Sequence, residues 1–122
     1  MSSILKINKE ACLSEALKTC QVVPAETLLS DKPSEKEKNH IQNDDVVIGT
    51  WEASPYVELL KMEGVAEFAT ILSGALKITT DDGASYLFRS GDSYFMPAGF
   101  SGRFEVLETL RKTYVLIKIK CS

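Results

Sequence analysis

Between Glu67 and Gly99 the chain reads EFATILSGALKITTDDGASYLFRSGDSYFMPAG, a series of short apolar runs each closed by a turn signal. Ser73-Gly74, Asp81-Asp82-Gly83, Ser90-Gly91-Asp92 and Pro97-Ala98-Gly99 supply positive or preset φ where the chain must reverse, and the runs between them are β-branched and aromatic. This punctuation predicts an antiparallel all-β core. Asp82-Gly83, flanked by Lys77-Ile78-Thr79-Thr80 and Tyr86-Leu87-Phe88, predicts a hairpin with a type I′ turn, whose twist matches that of the strands.

Further strands are expected at Val46-Val47-Ile48, at Val57 to Met62 after Pro55, at Gly102 to Val106 and at Arg111 to Lys120. Eight or more short strands are expected to close into a jelly roll of two packed antiparallel sheets. In the last of them Thr113, Val115, Ile117 and Ile119 alternate with Tyr114, Leu116, Lys118 and Lys120, which predicts one wholly buried face. Trp51 is expected at the end of the barrel core, its indole nitrogen on a backbone acceptor.

Upstream, Ile4-Leu5-Lys6-Ile7 suggests a short strand and Asn8 an N-cap. Leu13, Ala16, Leu17 and Cys20 at helical spacing predict one amphipathic helix over residues 9 to 20, with Pro24 marking its exit. From Leu29 to Asp45 the composition turns polar, predicting an exposed loop or mobile segment. His40 lies there and is expected at the surface, without the partners that a metal site or nucleophilic triad requires. The organisation expected is a helix and arm over residues 1–45, laid on the outside of a barrel over residues 46–122.

Composition limits the function classes. A length of 122 residues suits one domain, and 44% hydrophobic with 25% charged residues is ordinary for a soluble globular chain. No apolar run approaches the roughly 20 residues of a membrane span, and Met1 to Leu13 lacks the apolar core of a signal peptide, so no membrane partner and a cytoplasmic location are expected. Cys12, Cys20 and Cys121 are odd in number and scattered, as reduced thiols would be. A net charge of −3 gives no basic face for nucleic acid.

Glu67, six residues and Gly74 resemble the second half of the first cupin motif, whose full pattern is Gly, five residues, His-x-His, three or four residues, Glu, six residues, Gly. Gly91, five residues and Pro97-Ala98-Gly99 resemble the start of the second motif, which continues with two residues, His, three residues and Asn. Together with Gly49 to Pro55, Ile71 to Gly74 and Glu108 to Lys112, the text over roughly residues 46 to 117 is similar to the cupin branch of ureidoglycine aminohydrolase-like and ethanolamine-utilisation-like proteins. The resemblance implies a cupin jelly roll that pairs as a homodimer through its sheet faces. For the contact itself, the half-polar last strand and the Ile4 to Ile7 segment are the candidates for strand addition across a two-fold axis.

The metal-binding cupins use three histidines and a glutamate, since imidazoles and one carboxylate suit a mid-row divalent ion. In this chain the first-motif histidine positions hold Lys61 and Glu63 under one spacing, or Leu60 and Met62 under the other, and the second-motif position holds Gly102. Only Glu67 remains, so a cup without metal or other cofactor is expected. Under the first register Lys61, Glu63 and Glu67 point inwards; under the second Glu58, Leu60 and Met62 do, and a one-residue slip separates them. The candidate catalytic pair is Glu67 as base with Lys61, and the candidate ligand contacts are Glu63, Arg103, Phe100 and Arg111. Three functions follow as expectations. The first is a metal-free cupin binding a small polar metabolite of sugar or carboxylate type. The others are a non-catalytic structural or interaction module, and a metal-dependent aminohydrolase-like enzyme.

Overall fold

In the computed structural model, which describes residues 4–119, a short helix α1 (Lys9–Leu13) precedes eight strands. These are β1 (Lys18–Cys20), β2 (Glu35–Gln42), β3 (Val46–Ala53), β4 (Tyr56–Lys61), β5 (Val65–Thr80), β6 (Ser85–Arg89), β7 (Ser93–Met96) and β8 (Ser101–Lys118). All pairings are antiparallel.

The two long strands make the architecture. β5 and β8 pair from Val65↔Lys118 to Thr80↔Gly102, with register shifts between Ile71 and Leu76. There both strands bend, so each serves two sheets. One sheet runs β1-β2-β3-β8-β5-β7 and uses the first half of β5 with the second half of β8. The other runs β4-β8-β5-β6 and uses the remaining halves. Their facing sides bury Trp51, Ala69, Ile71, Tyr94 and Leu110 against Tyr56, Leu76, Ile78, Phe104 and Val106. This is the expected all-β jelly roll.

Ser73-Gly74 is therefore a bulge inside β5 and not a chain reversal. Gly74 stands at φ 90°, and a Cβ there would meet the Thr109 carbonyl oxygen where the bent β8 passes, so the close approach itself demands glycine. The hairpin at Asp82-Gly83 forms as expected, but its turn is not type I′. Gly83 sits at φ 92° while no non-glycine described residue has positive φ, and type I′ needs two such residues. Thr80 N–H instead bonds to Ala84 O across a wider loop, at 2.8 Å.

The N-terminal region differs more from expectation. Asn8 does cap α1 through Oδ1 to the Ala11 N–H at 2.8 Å, but the helix ends at Leu13 and residues 18–20 become β1. Residues 4–7 form no strand and are exposed. Residues 35–42, expected as part of a polar loop, form β2 along β3 from Glu35↔Ala53 to Gln42↔Val47. The alternating charges of EKEKNHIQ are a strand with Glu35 buried on one face, a periodicity hidden by its lack of apolar residues. His40 is accordingly not a free surface residue; its side chain is only 9% exposed.

β8 also reverses the expected burial. Leu110, Lys112 and Tyr114 face the interior, while the Ile117 and Ile119 side is open to solvent.

Candidate functional site

Between the two sheets lies a cup of about 330 Å³. Its wall is largely apolar, with Trp51 from β3, Tyr56 and Leu60 from β4, and Phe104 and Leu116 from β8. Val22, Val23 and Pro24 stand at its rim. Buried Glu35 fixes this rim: its carboxylate accepts from the Val22 N–H (3.1 Å), the Val23 N–H (3.2 Å) and the Trp51 indole N–H (3.0 Å). Trp51 thus finds a carboxylate and not the backbone acceptor expected.

Polar groups in the cup are few and firmly held. Glu67 projects from β5 at the level of Leu116, and Lys112 from β8 at the level of Trp51 and Ile71. Lys112 Nζ lies 2.8 Å from Glu67 Oε2 and donates to Tyr94 Oη at 2.8 Å, while Tyr94 O–H donates to Glu67 Oε1 at 3.0 Å. All three are buried. The ammonium also lies 4.9 Å from the centroid of Trp51, 5.1 Å from Phe104 and 5.5 Å from Tyr94, inside the range of cation–π attraction. Burial, with the Glu67 charge beside it, pushes the Tyr94 hydroxyl well above its usual range, so it acts as a fixed donor.

A second carboxylate, Glu58 of β4, is buried and accepts from Tyr56 O–H (3.2 Å) and Thr27 O–H (3.0 Å). Burial raises its pKa, while those two hydrogen bonds pull the other way. Tyr114 donates to Asn39 Oδ1 at 2.9 Å, and Glu37 completes the rim. Three carboxylates (Glu37, Glu58, Glu67) therefore face one ammonium, Lys112, across this cup.

Of the candidate catalytic and ligand-contact residues, the fold brings only Glu67 into the cup. Glu58, Leu60 and Met62 line it, so the second register holds. Lys61 and Glu63 are exposed outside it, because β4 turns its other face inwards. Arg103 is exposed and lies 3.8 Å from Glu105, pointing out from β8. Phe100 lies in a separate hollow with Ile78, Phe88 and Met96. Arg111 also points away from the cup, with Nε 3.0 Å from Glu52 Oε1 and Nη1 on the carbonyls of Cys12, Leu13 and Glu15. Lys112 and Tyr94 were missed as site residues, while Glu58 was expected inside only under the second register. A signal for Lys112 did exist: it alternates with Leu110 and Tyr114, which puts a charge on an apolar, inward face.

Two sheets sharing two bent strands around such a cup, with the motif glutamate inside, define a cupin. The match of a EutQ-like cupin domain model to residues 42–114 narrows this further: the chain belongs to the EutQ-like cupin family. Among solved structures, it resembles a DUF861-family protein of unknown function from Pseudomonas syringae pv. tomato, with 19% identity and a TM-score of 0.78 over 84% of this chain and 45% of that one. It resembles the Clostridium difficile EutQ protein at 21% identity and a TM-score of 0.62, over 72% of this chain and 65% of that one. A predicted oxalate decarboxylase from Thermotoga maritima is 18% identical with a TM-score of 0.66, over 84% and 94%. At these identities the likeness is one of fold, and the chain spans less than two thirds of the first two proteins. No curated protein is matched at a significant level.

Proposed function

We propose that the cup is a metal-free binding site for a small polar metabolite of sugar type. The observation that carries this reading is the ammonium of Lys112 on Glu67. Glu67 is the one carboxylate retained from the cupin ligand set, and an internal cation already neutralises it. A divalent ion there would have to displace Lys112, and the neighbouring motif positions, Leu60, Met62 and Gly102, offer no imidazole. The three-histidine chemistry of an aminohydrolase-like enzyme thus lacks its donors in this cup.

Ligand class follows from charge and shape. Three carboxylates against one ammonium disfavour an anionic ligand and suit hydroxyl groups, which donate to carboxylates and accept from Lys112. Trp51, Tyr56 and Phe104 give an apolar ring face something to rest on. The volume lies at the small end of ligand pockets, which run from about 300 to 1,000 Å³. Glu67 has a partner on each oxygen, so binding is better supported than a role as a free base.

Calorimetric screening of neutral sugars and their acids against the wild type, Glu58→Gln and Glu67→Gln tests this. A neutral sugar is expected to bind more tightly than its acid, and Glu58→Gln to weaken it about tenfold, the worth of one hydrogen bond to a charged group. Stoichiometric metal in the cup would overturn the reading. So would a cup packed shut by its own side chains in a crystal, which would favour a structural module.

A further inference from the structure

Outside the cup, on the outer face of the six-stranded sheet, side chains from two distant stretches meet. Cys12 and Glu15 come from α1 and the chain just after it, and His40 from β2. The Cys12 sulfur, a Glu15 carboxylate oxygen and a His40 ring nitrogen all lie within 4.8 Å of one another. We infer that they form a binding site for a single zinc-type divalent cation, with a water as fourth ligand.

The donor set is the first argument. Thiolate, imidazole and carboxylate are the ligands zinc takes, and three protein ligands plus water is an ordinary tetrahedral arrangement. His40 Nε2 and Glu15 Oε2 are 3.4 Å apart. Two ligands each about 2.0–2.2 Å from a tetrahedral zinc stand about 3.4 Å apart, so this edge already has the required length. A thiolate sulfur stands about 3.6 Å from the other ligands of such a site, so the thiol, within 4.8 Å of both, has to close by about 1.2 Å at most.

An unsatisfied atom is the second. Glu15 Oε1 is buried and has no hydrogen-bond partner among the described residues. Lys38 at 3.6 Å and the His40 ring nitrogen at 3.4 Å account for Oε2, but not for a buried, bare Oε1. The Cys12 thiol is enclosed too, at 2% exposure, although its chain segment lies at the surface. A cation held through Oε2 satisfies the thiolate and the imidazole and takes the place of Lys38 on that oxygen, while the water completing its shell supplies the donor that Oε1 lacks.

Pre-organisation is the third. Arg111 donates through Nη1 to the carbonyls of Cys12 (2.8 Å), Leu13 (2.9 Å) and Glu15 (3.3 Å), and its Nε is tied to Glu52. One guanidinium fixed to the sheet therefore holds the end of α1 and the residues just after it, which carry two of the ligands. His40 in turn is placed by Thr50, its Nε2 lying 3.1 Å from Oγ1; on metal binding the hydroxyl gives up that nitrogen. The sheet supplies His40, the clamp supplies Cys12 and Glu15, and the cation would lock the N-terminal segment to the barrel.

The test is zinc titration of chelator-stripped, reduced full-length protein against a chromophoric chelator, with cobalt(II) as a spectroscopic probe. One equivalent is expected in the wild type, in a Cys20→Ser/Cys121→Ser background and in Glu67→Gln, with a thiolate-to-cobalt charge-transfer band. Cys12→Ser should abolish the band, and His40→Gln should weaken binding at least tenfold. If either variant fails to fold, the wild-type cobalt band and stoichiometry still decide. Less than one equivalent, no charge-transfer band, or a band that survives Cys12→Ser overturns the site.

Discussion

At the scale of single residues, Lys112 is the most consequential side chain in the cup. Its ammonium is buried with Glu67 and Tyr94, and each depends on the others for its hydrogen bonds. Removing one partner of a buried pair leaves an uncompensated charge, whereas removing both together leaves none. Lys112→Met is therefore expected to cost about 3–5 kcal/mol in denaturant unfolding. The double variant Lys112→Met/Glu67→Gln should recover a large part of that loss. Equal losses in both would show that packing of the lysine stem, and not the charge, matters there.

The same residue shows where sequence reading ended. Motif spacing marks Glu67, but the cations expected in the cup with it, Lys61, Arg103 and Arg111, all lie outside. What decides the partner is the side of the strand, and in β8 that depends on a bend near Val106 to Leu110, whose place the alternation of Leu110, Lys112 and Tyr114 beyond it does not give. Beyond the bend, Arg111 faces out and Lys112 in. Similarly, the choice between Lys61 with Glu63 and Leu60 with Met62 required knowing which face β4 turns to the cup.

At the scale of elements, the bend itself can be tested. Gly74 and Gly83 share nearly the same φ, 90° and 92°, but differ in surroundings. A Cβ on Gly83 meets nothing within 4 Å, so Gly83→Ala is expected to cost only the left-handed penalty of about 1–2 kcal/mol. A Cβ on Gly74 collides with the backbone of Thr109 and Glu108, which cannot move without separating β5 from β8. Gly74→Ala should therefore cost distinctly more, upwards of about 3 kcal/mol, or prevent folding. Comparing the two variants by thermal unfolding isolates the collision from the torsion.

Turn chemistry and alternation made most of the strand residues from β3 to β8 legible, but not their continuity: β5 runs through Ser73-Gly74, and the two strands expected at Gly102 to Val106 and Arg111 to Lys120 are the single bent β8. β2 was not legible, since its residues are charged and its strand character comes from pairing with β3 and from burying Glu35. The long helix expected over residues 9–20 failed for the opposite reason. Its periodic apolar stripe is real, but the carbonyls of Cys12, Leu13 and Glu15, which a longer helix would use for its own hydrogen bonds, accept from Arg111 instead.

At the scale of the whole molecule, the outward side of the six-stranded sheet carries a row of apolar residues. Register places Ile41, Ile48, Val115, Phe68 and Phe95 side by side across β2, β3, β8, β5 and β7, with Ile117 beside Val46 in the next row. Phe68 is 46% exposed and Phe95 61%. We propose a homodimer that stacks two copies of this face. A two-fold contact sets each residue near its own counterpart, which a charged surface would resist even though the chain carries a net charge of −3; this row has no charged side chain. Two sheets stacked face to face bury such rows at about 10 Å separation, as within a sandwich. The Ile4 to Ile7 segment forms no strand within the chain, and the proposed contact uses this sheet face instead. Light scattering at micromolar concentration should give twice the 13.5 kDa chain mass for the wild type, and the single-chain mass for Phe68→Glu. A wild type at the single-chain mass, or an unaltered dimer in Phe68→Glu, would remove this face from the assembly.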